Sequence, residues 1–254
     1  MKTAVLVFGE YREFKNAHKS WKFLNNIEYD MYVSTWNTSN DVNDVLGIDF
    51  HTTIDETDIL KYFPNAKISI KADTMYGMVS TKMIHHWRTL FNMMTLSGIE
   101  YDNVVLIRPD IYFDNTDLIE SLLIKLPNPN VLYGLSTVNH PPPPEYMYVN
   151  DCLFIGKMEL MRNTFLSMFE PDITRKGIHY HLAKHFINND IHIQPICESH
   201  SIYGVMRFLH RNYLHCNFIE LQEIDRIYFE TKHMHPTDAR INELTLRLKE
   251  LQYE

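Results

Sequence analysis

Short, unbroken apolar runs alternate along this chain with stretches whose apolar residues recur every three or four positions. The first run, Ala4 to Phe8, reads as a buried strand that stops at Gly9-Glu10-Tyr11-Arg12. Phe14, Ala17, Trp21 and Leu24 follow at helical spacing, which predicts a helix. Asp30 to Trp36 reads as a second strand, ending in the polar stretch Asn37-Thr38-Ser39-Asn40. Asp55 predicts the N-cap of a short helix carrying Ile59, Leu60 and Phe63, stopped by Pro64, and Lys67 to Lys71 reads as a third short strand. The clearest helix starts near Ser80 and ends at Gly98, with Met83, Ile84, Trp87, Leu90, Phe91 and Met94 on one side. It leads into the four apolar residues Val104 to Ile107, which run straight into Arg108-Pro109-Asp110.

Beyond that point Thr116 predicts the cap of a helix carrying Leu118, Ile119, Leu122 and Leu123, closed by Pro127, and Val131 to Leu135 is a further strand. His140 to Glu145, HPPPPE, must be an exposed, extended loop. Tyr148 to Ile155 reads as a strand interrupted by Asn150-Asp151, followed by a helix with Met158, Met161, Phe165 and Met168. From about Pro171 to His235 the pattern is mixed: helical spacing at Ile178, Leu182 and Phe186, short strand-like pieces and many histidines. Thr237 predicts the cap of a last amphipathic helix with Ile241, Leu244, Leu248 and Leu251. The early strand–helix alternation implies an α/β fold, a mostly parallel sheet with helices on both faces, and a mixed C-terminal subregion appended. No repeat divides the chain, so residues 1–254 are expected to form a single domain.

Bulk properties narrow the classes. With 254 residues, 45% apolar and 22% charged, the chain has the composition of a globular protein large enough for one α/β domain. A net charge of -8 gives no global electrostatic case for nucleic acid. Cys152, Cys197 and Cys216 are widely spaced and odd in number, which fits a reduced cytoplasmic protein better than a disulfide framework. The apolar run before Gly9 is too short for a signal-peptide core, and no stretch reaches transmembrane length. Dinucleotide-binding and P-loop glycine fingerprints are absent.

Three strand ends are polar in a way that packing does not require: Gly9, Glu10 and Arg12 after the first, Trp36 and Asn37 after the second, Arg108 and Asp110 after the central one. In a parallel sheet these ends share one edge, where ligands bind. Arg suits a phosphate, and Asp suits a hydroxyl or a divalent ion; a structural ion pair between Arg108 and Asp110 is the competing reading. Arg12 sits where a helix dipole disfavours a cation, and a bound diphosphate removes that difficulty. Trp36 is either a stacking surface for a base or sugar or a core side chain. Asp151 breaks an apolar strand, so it is either a turn residue or a general base worth roughly 10²–10⁴ in rate. His181 and His185 stand four apart, but H-L-A-K-H lacks the glutamate of a zinc helix. His200 would complete a metal site with Asp110 if the fold brings them together, whereas Cys197 with His200 lacks an orienting group for a nucleophile pair.

The ordered motifs carry a family resemblance. A first strand ending in Gly9-x-x-Arg12, a second reading Tyr32 to Trp36, then Tyr101, Asp102, Val104, Val105, Arg108, Asp110 and Phe113, and later Asn150-Asp151 with Phe154 to Gly156, resemble GT-A type glycosyltransferases of bacterial and viral surface-polysaccharide synthesis. The resemblance covers roughly residues 1–170. It implies a GT-A-like fold, a nucleotide-diphosphate sugar as donor and a hydroxyl of a surface glycan as acceptor. On that reading residues 1–135 hold the donor through Gly9, Arg12, Trp36, Asn37, Lys82 and Arg108, with Trp87 a secondary candidate. Residues 136–254 form the acceptor side, and Asp110 and Asp151 are catalytic. The family's metal-binding Asp-x-Asp has Arg108 in place of its first Asp. The expectation is nonetheless a divalent ion, Mn²⁺ or Mg²⁺, on Asp110 with His200; the alternative is that Arg108 replaces part of the metal's charge.

Two other readings compete: a nucleotidyltransferase, disfavoured by the single glycine of Phe8-Gly9-Glu10-Tyr11-Arg12, and a catalytically inactive carbohydrate-binding or assembly protein. The last helix is expected to dock on its own domain first, to form a homodimer second and to attach peripherally at the inner face of a membrane third.

Overall fold

A computed structural model describes residues 1–11, 17–43, 48–72, 79–113, 115–136, 149–168, 178–196 and 206–208. The strands are β1 (Lys2–Phe8), β2 (Glu28–Trp36), β3 (Thr38–Asn43), β4 (Ile48–Thr53), β5 (Lys67–Lys71), β6 (Asn103–Ile107), β7 (Ile111–Phe113), β8 (Val131–Ser136), β9 (Val149–Lys157), β10 (His192–Pro195) and β11 (Met206–Phe208). The helices are α1 (Glu56–Leu60), α2 (Val79–Leu96), α3 (Asp117–Ile124), α4 (Met158–Leu166) and α5 (Ile178–Asn188). Seven strands form one sheet in the order β10-β8-β9-β6-β1-β2-β5. Every pairing in it is parallel except the two made by β9, which runs against both β6 and β8. The expected α/β class and mostly parallel sheet are present.

Unbroken apolar strands follow from burial on both faces. In β1, Val5 and Val7 point into one core with Trp21, Phe23, Ile59 and Ile119, while Ala4, Leu6 and Phe8 point into the other with Trp87, Leu90, Phe165 and Leu182. α1 and α3 thus cover one face and α2, α4 and α5 the other. Trp87, edge-on to Phe8 at 5.6 Å and to Phe165 at 5.2 Å between ring centres, is a fully buried core residue.

Local signals hold where they are self-contained. Asp55 accepts from the backbone N–H of Thr57 at 2.8 Å and of Asp58 at 3.1 Å, and Asp58 reciprocates to the Asp55 N–H, a complete capping box. Gly98 ends the long helix segment with φ at 67°, a left-handed position that suits glycine.

Two expectations need correction. The helix predicted from Phe14 to Leu24 does not continue through its second half, where His18–Ser20 and Lys22–Asn26 form two 3-10 turns. Trp21 leaves helical geometry between them because its indole N–H donates to the Ile111 carbonyl at 2.7 Å. Ser20, beside it, accepts from the Phe113 N–H at 2.9 Å. These bonds to β7 outweigh helical propensity, which is a weak preference. Thr116 does not cap α3 with its side chain; its hydroxyl donates to Glu120, and Asn115 caps the Asp117 N–H at 2.7 Å. At Asn150-Asp151 the strand β9 continues, but its pairing with β8 slips there, Gly134 pairing with Phe154 and Ser136 with Val149, so the expected interruption is an irregularity in that pairing. The HPPPPE segment, Arg12, Cys197, His200 and the helix expected over Thr237 to Leu251 lie outside the described residues. Among the described residues no helix is long and apolar enough to cross a membrane.

Candidate functional site

The chain builds the sheet outward from β1 in one direction through β2 to β5, then crosses back to lay β6 on β1's other side. The carboxyl ends of β1 and β6 therefore flank the point where strand order reverses, the place where open α/β sheets bind ligands. Gly9 follows β1 with φ at 100°, and its N–H donates to the Ser34 carbonyl at 3.2 Å. The space beside its α-carbon is open, so the backbone angle rather than crowding calls for glycine.

Arg108 follows β6. Its N–H extends the ladder to the Cys152 carbonyl at 3.0 Å, which fixes where the side chain starts. Nε donates to Asp110 Oδ1 at 3.0 Å and Nη2 to Oδ2, a fork on one carboxylate. Nη1 lies 3.9 Å from Asp151 Oδ1 and 3.7 Å from Cys152 Sγ. Because β9 is antiparallel, it starts at the edge where β6 ends, and this brings Asp151 and Cys152 to Arg108. Only 6% of the Asp110 and Asp151 side chains is exposed, against 23% of Arg108. Burial disfavours the Arg108 cation, but the charges of Asp110 and Asp151 and the hydrogen bonds to Asp110 outweigh it and hold its pKa well above the ordinary value. Burial pushes the Cys152 thiol well up, with Asp151 and Asp110 adding to the effect against Arg108, so this cysteine stays a neutral thiol and donates to Asp151 at 3.3 Å.

His179, in the first turn of α5, completes the group. Its Nδ1 lies 2.9 Å from the Val149 carbonyl and 3.8 Å from Asp151 Oδ1.

A second cluster occupies the ends of β2 and β5 with the start of α2. Trp36 is buried, with its ring 4.4 Å from that of His86 and stacked at 6.0 Å on His85; the Lys82 ammonium sits 5.8 Å from its centre. In this arrangement Trp36 is a packed side chain. Lys71 reaches His85 Nε2 at 3.0 Å. His86 Nδ1 bonds Ser34 Oγ at 2.8 Å, and its buried Nε2 has no partner among the described residues. Burial, helped by His85, Lys71 and Lys82, lowers the His86 pKa to about 3, so the ring is neutral. Asn37 is tied by its backbone, donating to Lys71 and accepting from Ile54, both at 2.8 Å.

The structure therefore joins Arg108, Asp110 and Asp151 in one cluster and Trp36 and Lys82 in another, with Gly9 on the strand between. His179, Cys152 and His86 were not singled out from the sequence. His179 carried a signal only in hindsight, as a polar residue beside Ile178 at the start of a helix; its pairing with Asp151 depends on the antiparallel run of β9. His185 Nε2 donates to the Thr164 carbonyl at 2.9 Å and so ties α5 to α4.

Both Asp110 oxygens accept from Arg108, so a divalent ion there would sit beside the guanidinium on the remaining lone pairs, and His200, the other expected ligand, lies outside the described residues; among these no group of three or more His, Cys, Asp or Glu is placed to hold an ion. Comparison with known proteins finds no matching family model and no matching curated sequence.

Proposed function

We propose that this chain is a glycosyltransferase that moves a sugar from a nucleotide-diphosphate sugar to a hydroxyl of a surface glycan. The observation that carries the reading is the concentration of Arg108, Asp110 and Asp151 at the point of strand-order reversal, in a sheet edge that packing alone would leave apolar. The GT-A resemblance of the sequence supplies the substrate class, and the cluster supplies what the chemistry requires. Glycosyl transfer releases a diphosphate, whose developing charge is best met by a cation already fixed in place. Arg108 is such a cation: Asp110 fixes its guanidinium through two donors, and 23% of the side chain is exposed at the strand-end edge where a diphosphate would sit. The acceptor hydroxyl must lose a proton, and the Asp151 side of the cluster is the basic end. Gly9 lets the backbone after β1 approach the donor, while Trp36, Asn37 and Lys82 shape the neighbouring end of β2.

A structural ion pair in a carbohydrate-binding protein without turnover is the second reading, and the closed Arg108–Asp110 fork is the observation in its favour. The two separate by turnover. The purified protein is incubated with UDP-, GDP- and dTDP-hexoses and a panel of oligosaccharides, and released nucleoside diphosphate is measured. The glycosyltransferase reading expects release with one nucleotide class, lost in Arg108→Lys, which keeps the charge and loses the fork. Binding of oligosaccharide without any release would replace it by the second reading.

A further inference from the structure

We propose that His179 takes the proton of the acceptor hydroxyl and that Asp151 is the residue that positions it; this rests on the glycosyltransferase reading. A carbonyl oxygen can only accept, so the 2.9 Å contact with Val149 places the ring hydrogen on Nδ1. The lone pair is then on Nε2, the tautomer in which the ring accepts a proton through its outer nitrogen. Asp151 Oδ1, 3.8 Å from Nδ1, lies beside the same hydrogen. Its charge is only partly met, because the single Arg108 guanidinium is already forked on Asp110. A proton arriving on His179 supplies the missing positive charge, so the imidazolium forms where a carboxylate awaits it. Asp151 is itself 6% exposed, whereas His179 is 26% exposed, which makes the histidine the member of the pair that solvent and substrate can reach.

In the reaction the acceptor O–H bond breaks and its proton goes to Nε2. The oxygen's electron pair forms the new bond to the anomeric carbon, and the bond from that carbon to the diphosphate oxygen breaks with its electrons leaving on the diphosphate. Among the described residues, the charged and titratable groups on this side of the fold include Asp151 and Cys152 from β9, Arg108 and Asp110 bonded to them, and His181 on the same helix. α2, packed against α5, carries Lys82, His85 and His86 in its first turns.

The test uses His179→Asn, whose amide nitrogen keeps the donor to Val149 while the outer nitrogen is lost. The expected result is a fall of roughly 10²–10⁴ in turnover of the nucleotide sugar that wild type uses, with the Kd for the matching nucleoside diphosphate within about twofold. The acid-side limb of the wild-type pH–rate profile disappears in the variant, and Asp151→Asn weakens that limb without removing it. Turnover of His179→Asn within about threefold of wild type, or an unchanged acid limb, overturns the inference alone. A wild-type protein that neither binds a nucleotide nor releases one overturns the glycosyltransferase reading and this inference together.

Discussion

At the edge where the parallel strands begin, Lys2 and Asp30 pair at 2.9 Å with 29% of each side chain exposed. Asp30 also accepts from the Tyr101 hydroxyl at 2.6 Å; Tyr101 meets Tyr32 at 2.7 Å, and Lys67 donates to Tyr32 at 3.0 Å. At the edge where the strands end, one arginine faces two carboxylates that are almost sealed from water. The residue types are alike and the arrangements are opposite. The first network shares its carboxylate among balanced, solvated partners and ties strand starts together. Burial works against the Asp30 anion, but Tyr101 and Lys2 outweigh it and hold its pKa below the usual range. The second leaves an excess of negative charge where desolvation is costly, a construction that stability alone does not favour. A groove of about 640 Å³ lies at the first edge, bounded by Tyr101, Asp102, Lys157, Glu159 and Asn163, so a cavity by itself does not mark the strand-end edge. Charge balance does.

The contrast breaks most visibly at Arg108. Arg108→Ala leaves Asp110 and Asp151 buried without their cation and is expected to cost about 3–5 kcal/mol, read by urea unfolding. Asp110→Asn keeps the shape but weakens the charged fork, with an expected loss of about 1.5–3 kcal/mol in the same assay. A loss under about 0.5 kcal/mol in both variants would erase the difference between the edges.

His86 gives a pH signature at the strand-end edge. It stays neutral in the fold down to about pH 3, whereas in the unfolded chain it protonates near its ordinary value of 6.5. Between those values the unfolded state binds the extra proton, so stability falls as pH drops, by up to about 1.4 kcal/mol per pH unit from this group. Unfolding free energies measured from pH 6.5 to 4.5 are expected to fall less steeply in His86→Gln than in wild type. The smallest effect belongs to the other edge: Asp30→Asn, at a partly exposed position, is expected to change stability by less than about 1 kcal/mol.

How much of this could be read from the chain depends on where the determining partner lies. β1, α2 and β6 were legible because periodicity and burial agree within each segment. The Asp55 cap was legible for the same reason, since its partners lie within three residues. Arg108 and Asp110 stood out as charges ending a buried strand, and their mutual fork is a local contact that the same reading anticipated as an ion pair. The turns around Trp21 were not legible, because the bond that sets them comes from Ile111, ninety positions away. Asp151 was flagged, but its contacts with Arg108 and His179 follow from β9 running antiparallel, which no pattern inside the strand encodes. The metal site expected on Asp110 with His200 cannot be joined from the described residues, because His200 lies outside them.

The most direct measurement is a thermal-shift series of wild type and Arg108→Lys against UDP, GDP and dTDP and their sugars, each in EDTA and again in Mn²⁺. The account predicts that one nucleotide class stabilises wild type by about 2.7 kcal/mol at a hundredfold excess over its Kd, equally in EDTA and Mn²⁺, and that Arg108→Lys loses the effect. No stabilisation by any nucleotide, from a protein that unfolds cooperatively, would contradict the assignment of a donor site to this edge.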